Sequence, residues 1–217
     1  IAKGANKKKS PSQVILEQLN YLSVIYYQRP LGQLGIVKEC ELKTHFPGIR
    51  ACLDRLFTGL YFIEMVTECT AECDPNERLF KLLRYGLHHS ENGLCLQNLF
   101  LYWQWHALNL LGFSPFLGQC IHCKNRASRS HIFYFSAQEG GGFCSLCKKE
   151  ARGPLLKLHG SSMEKLDILI RQTGERWKEV PLLPLEYREI CGLFRSHLQS
   201  VTNKDLRLAR YMQHNFR

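Results

Sequence analysis

Four cysteines stand in two Cys-x-x-Cys pairs, Cys120 with Cys123 and Cys144 with Cys147, and twenty residues separate the pairs. Each pair makes a tight turn that aims two thiolates at one point. An insert of this length can fold back as a hairpin and bring the two turns together. Four thiolates complete a tetrahedron around one zinc ion and leave no position for a reacting water, so the metal predicted by this spacing is structural. Two disulfides, redox-active pairs and plain buried thiols are the other readings of the same residues. His122 lies inside the first pair and is expected to face solvent, with His131 a reserve ligand. The other cysteines, Cys40, Cys52, Cys69, Cys73, Cys95 and Cys191, are scattered, most of them on apolar patterns. No secretory signal is visible, so they read as reduced thiols in a cytoplasmic protein.

Catalytic patterns are few. "HSE" at His89 to Glu91, followed by "CIHC", mimics the His-x-Glu and Cys-x-x-Cys signature of zinc nucleoside deaminases. Gln119 stands where that signature has Pro, and the second thiol pair would have no role. There is no Walker loop, no dinucleotide-binding glycine fingerprint and no nucleophile elbow. Gly140 to Gly142 reads as a turn rather than a phosphate cradle. The chain is not expected to be an enzyme.

The charge points to an acidic partner. The chain of 217 residues carries a net charge of +10, with 45% hydrophobic and 22% charged residues. Residues 1–11 hold Lys3, Lys7, Lys8 and Lys9 and no acid. Residues 116–157 hold Lys124, Arg126, Arg129, Lys148, Lys149, Arg152 and Lys157 against Glu139 and Glu150, a net of +5. Residues 188–217 carry a further net of +4. One such run is an ordinary solvated face. Three runs flanking a strand region and a metal module favour phosphate, because each neutralised phosphate releases counterion. Tyr21, Tyr26, Tyr27, Phe133, Tyr134 and Phe135 offer stacking faces, or else belong to the core. The most apolar stretch, Leu94 to Leu111, is interrupted by polar residues and reads as a core helix, not a membrane span.

The elements that must position these groups follow from periodicity. Residues 1–45 read as strands, with "EQLNYLSVIYYQ" (Glu17 to Gln28) and "IVKECEL" (Ile36 to Leu42) separated by a turn cluster, which suggests a small barrel or sheet. The opening "IAKGANKKKS" reads as the middle of a strand, with earlier strands missing. Helical spacing begins after Pro47-Gly48 and is broken at Asp74-Pro75. A second helix carries Leu79 to Leu87, "HSENG" (His89 to Gly93) reads as a loop, and a third helix stops at Gly112. The cysteine module spans 116–153, with a hairpin over His131 to Cys144. After Pro154 helices are expected to return, one capped by Ser161 or Ser162 and a last one over about Leu185 to Leu198.

Three stretches together resemble the RecO family of bacterial recombination mediators. "IAKGANKKKS" resembles the family's basic strand and loop, "FPGIRACLDRLFTGLYFIEMV" its first helix after the barrel, and "LNLLGFSPFLGQCIHC" the helix leading into its first zinc knuckle. The similarity runs in order over nearly the whole chain. It implies an α+β protein: an N-terminal OB-type β-barrel, truncated at its start (1–45), then an all-helical domain (46–115 and 154–217) with an inserted four-cysteine zinc finger (116–153). It also implies binding of single- and double-stranded DNA, strand annealing, and action on DNA coated by single-strand-binding protein. The implied partners are RecR, the acidic C-terminal tail of single-strand-binding protein and, indirectly, RecA. Asn6 departs from the Arg often found there, and "LYWQWHAL" (Leu101 to Leu108) lacks the Arg that relatives carry near the tail-binding region. Candidate DNA contacts are Lys3, Lys7, Lys8, Lys9, Arg126, Arg129, Lys148, Lys149 and Arg152. A zinc-stapled adaptor for an acidic protein is the alternative reading, with the deaminase behind it.

Overall fold

The computed structural model describes residue 2 and residues 15–28, 30, 34–126 and 132–214. Two strands open the described fold: β1 (Asn20–Tyr27) pairs antiparallel with β2 (Ile36–His45), with register shifts between Tyr21 and Leu22 and between Ile25 and Tyr26. A short helix α1 (Pro47–Arg50) turns the chain into α2 (Leu53–Cys69), α3 (Glu77–Asn92) and α4 (Leu96–Leu110). Pro47 occupies the first turn of α1, where its missing N–H costs no hydrogen bond. Asn76 caps α3 by accepting from the Leu79 backbone N–H at 2.9 Å.

The stretch from His89 to Asn92 is helical rather than a loop, because α3 continues to a left-handed cap at Gly93. Its polar residues have places inside the fold. Ser90 is buried and its hydroxyl donates back to the Gly86 carbonyl at 2.8 Å, a bond that a helix interior accommodates. Gly86 permits the close crossing of α3 and α4: a Cβ there would lie 2.6 Å from Trp103. Trp103 stacks on Phe62 at 4.0 Å between ring centres and donates its indole N–H to the Leu82 carbonyl at 2.8 Å.

Beyond α4 the chain makes the hairpin β3 (Ile132–Ser136) and β4 (Gly141–Cys144). The turn is Ala137 to Gly140, and Gly141 and Gly142 belong to β4. Helices do not return directly after Pro154. A further strand, β5 (Leu155–His159), pairs antiparallel with β3 and completes a sheet of order β4-β3-β5. Then come α5 (Gly160–Ile170), α6 (Pro184–Thr202) and α7 (Ala209–His214). Neither Ser161 nor Ser162 caps α5. Glu189 of α6 instead ties down the helix start, accepting the His159 backbone N–H at 2.9 Å and the Ser162 hydroxyl at 2.6 Å. Pro184, expected in a connector, starts α6.

One large core joins α2, α3 and α4 to β3, β5, α5, α6 and α7. Residues before and after the cysteine module therefore bury one continuous surface. A smaller core of Leu19, Phe46, Ile49 and Leu87, with Tyr21 packed on it, holds the β1–β2 ribbon against α2 and α3. Among the described residues no helix is long and apolar enough to cross a membrane.

Candidate metal centre and basic surfaces

Two local turns and one hairpin bring the predicted thiols together. In the first turn the Cys120 backbone N–H bonds the Asn125 carbonyl at 2.8 Å, and the Lys124 N–H bonds the Cys120 carbonyl at 2.9 Å. Lys124 takes a left-handed φ of 63°, the reversal this turn needs. In the second turn the Cys147 N–H bonds the Cys144 carbonyl at 3.1 Å. The Ile121 N–H bonds the Gly142 carbonyl at 2.9 Å, which docks the first turn onto β4. Cys120, Phe133 and Phe143 form a small buried core beneath the sulfurs.

The four Sγ atoms all lie within 4.8 Å of one another, and the Sγ atoms of Cys123 and Cys144 are 3.7 Å apart. A tetrahedron of thiolates with metal–sulfur bonds of about 2.3 Å has edges of about 3.8 Å. The set therefore fits a metal ion. Its electrostatics agree. Burial opposes ionisation of Cys120, but the backbone N–H groups of Cys123, Cys144 and His122 outweigh it and bring this thiol down to about 6. Burial and the three neighbouring thiols push Cys147 up to about 12. One thiolate forms readily and the last is strongly opposed, an imbalance that a bound cation removes.

His122 is exposed and stands apart from the ligand set, and His131 lies outside the described residues. Among the described residues the four cysteines form the one cluster able to hold a metal ion. Glu91, the acid of the deaminase-like pattern, is committed elsewhere. Its carboxylate accepts the backbone N–H groups of Gly48 and Ile49, each at 2.9 Å. His89 is buried against Tyr85 and Trp177.

The predicted basic residues divide in two groups. Lys3, Lys7, Lys8, Lys9 and Arg129 lie outside the described residues. Arg126, Lys148, Lys149 and Arg152 are all exposed around the two cysteine turns. Arg126 bridges to Gln119 beside the first turn. Lys148 and Lys149 open a single 3-10 turn (Lys148–Glu150) immediately after Cys147, and the Lys148 ammonium lies 4.8 Å from the centre of the Tyr134 ring. The Arg152 backbone is held on both sides, by Ser136 donating to its carbonyl and by Glu139 accepting its N–H. The candidate stacking residues also divide. Phe133 and Phe135 are core, whereas Tyr26 and Tyr27 are 58% and 61% exposed on β1. Periodicity does not single out Arg84, whose guanidinium lies over Tyr21 at 4.4 Å, because the contact crosses from helix to ribbon.

Residues 50–210 match the family model described as Recombination protein O C terminal. The chain is 26% identical over 208 residues to the DNA repair protein RecO of Syntrophus aciditrophicus (strain SB), covering 95% of this chain and 80% of that one. It is 32% identical over 174 residues to the DNA repair protein RecO of Pelotomaculum thermopropionicum, covering 80% of this chain and 63% of that one. The RecO of Bacillus subtilis (strain 168) is 29% identical over 147 residues, 68% of this chain and 56% of that one. An α+β fold of strand ribbon, helical core and four-cysteine module thus coincides with a match that runs through all three parts. The chain belongs to the RecO family.

Proposed function

We propose that this protein is a non-enzymatic mediator of DNA repair and recombination, whose basic surfaces hold DNA. The observation that carries the reading is membership of a family whose matched relatives are named DNA repair proteins. In this reading one structural zinc ion is held by Cys120, Cys123, Cys144 and Cys147. Zinc suits a closed set of four thiolates and brings no redox chemistry of its own. It would fix the two turns relative to each other, and with them the backbones of Arg126, Lys148, Lys149 and Arg152. A preorganised cationic patch loses less entropy on binding an anion than a loose one does.

The finer assignments belong to the same proposal. Residues 1–45 form part of an OB-type barrel and bind DNA with Lys3, Lys7, Lys8 and Lys9. Residues 46–115 and 154–217 make one helical domain, and 116–153 the zinc-finger insert that carries Arg126 and Arg129. The protein binds and anneals single strands, binds duplex DNA, and acts on strands coated by single-strand-binding protein. RecR and the acidic tail of that protein are its partners, RecA is served indirectly, and the setting is the bacterial cytoplasm at the nucleoid. Fluorescence anisotropy with labelled single-stranded DNA across a salt series tests the core of this. Affinity should fall steeply as salt rises. No DNA binding, together with tight binding to an acidic protein, would replace the mediator with the adaptor.

A further inference from the structure

A cleft of about 290 Å³ opens between the β1–β2 ribbon and α3, lined by Tyr21, Thr44 and Phe46 on one side and Lys81, Arg84 and His88 on the other. Spacings of three and four residues place Lys81, Arg84 and His88 on one face of α3. None of the residues lining the cleft is acidic. Lys81 does pair with Glu77 at 2.6 Å, but both side chains are well exposed, so water or another anion readily replaces the pairing. Among the described residues no carboxylate pairs with Arg84. Its guanidinium lies over the Tyr21 ring with the centroid 4.4 Å away, and the Phe80 ring meets Tyr21 at 5.9 Å. An Arg held on an aromatic face keeps its N–H edge free for a phosphate and presents its own plane for stacking.

We propose that this cleft is a contact site for single-stranded nucleic acid, separate from the zinc-module patch. Arg84, flanked by Lys81 and His88, takes a phosphate, and the stacked Arg84–Tyr21 pair offers a plane to a base. The inference rests on the DNA-binding reading above and gives it a specific place. The choice of a nucleic acid over an acidic peptide comes from the rings. Tyr21, with Phe80 beside it, puts aromatic surface at the cleft itself, and stacking of this kind tolerates any sequence.

The test uses full-length protein and a labelled oligothymidylate, read by anisotropy over a salt series. Arg84→Ala should weaken binding about tenfold and flatten the salt slope by about 0.7, one phosphate's worth for a single strand. Arg84→Lys should restore the slope but not the whole affinity, since it keeps the charge and loses the plane. Lys81→Glu, at an exposed position, should weaken binding whether or not Arg84→Ala folds well, and circular dichroism melting checks both. If the wild type binds with steep salt dependence while Arg84→Ala and Lys81→Glu match it in affinity and slope, the cleft is not a DNA contact and the wider reading stands. If those variants instead lose only an acidic peptide probe, the cleft belongs to a protein partner and the inference fails. No DNA binding by the wild type removes the wider reading and this one together.

Discussion

Glu91 is a tertiary cap rather than a catalytic acid. It lies in the last turn of α3 and accepts the Gly48 and Ile49 N–H groups at the start of α1, two donors that a four-residue helix cannot satisfy itself. Arg55 donates to the Glu91 carbonyl at 2.9 Å and closes the joint. Charge-assisted bonds of this kind contribute about 1–3 kcal/mol. Glu91→Ala should therefore lower the urea midpoint without releasing metal, and Glu91→Gln should recover part of the loss. An unchanged midpoint would mean that water serves Gly48 and Ile49 equally well. His106 gives a second residue-scale prediction. Its Nε2 is buried with no hydrogen-bond partner among the described residues, and burial holds its pKa below the ordinary value of about 6.5. As pH falls below about 6.5 the unfolded chain takes up a proton that the folded one resists, so this group's share of stability is lost on acidification. His106→Phe keeps the ring beside Tyr102 and removes the titration. Its stability should fall less than the wild type's between neutral pH and mildly acid pH, and parallel curves would refute the assignment.

At the scale of elements, β3 is where the cysteine module and the helical core become one structure. It pairs with β4 on one side and β5 on the other. Phe133 packs beneath the thiols, while Phe135 belongs to the large helical core. Removing the metal should accordingly loosen β4, the two cysteine turns and β3, with the effect reaching β5 and the start of α5. Amide exchange after chelation should rise there and stay low in α2 and α4, and uniform loss of protection would show that the module has no separate stability. Cys120→Ser should reproduce the pattern, because in the proposed zinc site metal binding would be part of the folding free energy. Phe135→Ala should instead cost about 3–5 kcal/mol with metal retained, since it opens a cavity in the main core. These elements also show what a sequence reveals. The thiol cluster is legible because its ligand spacing is local and specific. The strands β1 and β2 are legible from β-branched and aromatic runs around a turn. β5 is not, because five residues with no distinctive period become a strand only through pairing with β3, a contact that local pattern does not encode. The end of α3 reads wrongly as a loop because His89 and Ser90 look like loop residues until the packing that buries them is known.

Over the whole molecule, the arrangement of charge is the property on which the proposed DNA binding depends. The two chain ends and the module between residues 116 and 157 together carry more positive charge than the chain's net +10, which leaves the rest of the chain slightly acidic. Several of the basic groups near the C-terminus are already used within the fold. Arg195 pairs with Asp205 at 2.9 Å, and Lys204 pairs with Glu68 at 2.6 Å. Arg126, Lys148, Lys149 and Arg152 make no such ion pairs among the described residues, and their charges remain available to phosphate. The two kinds of basic residue should therefore respond differently to mutation. Arg126→Ala combined with Lys148→Ala should weaken DNA binding across all sequences and flatten the salt slope by roughly one unit for each phosphate no longer neutralised, with zinc content and melting temperature unchanged. Replacing Lys7, Lys8 and Lys9 together by Ala should act in the same way at the other end of the chain. Arg195→Ala should do the opposite, lowering stability by removing a partner of Asp205, whose carboxyl this guanidinium holds below its ordinary range, while leaving the salt slope in place. Slope changes in proportion to the charges removed by the three variants, Arg195→Ala included, would show that binding follows total charge alone and that the placement of charge around the four cysteines adds nothing to it.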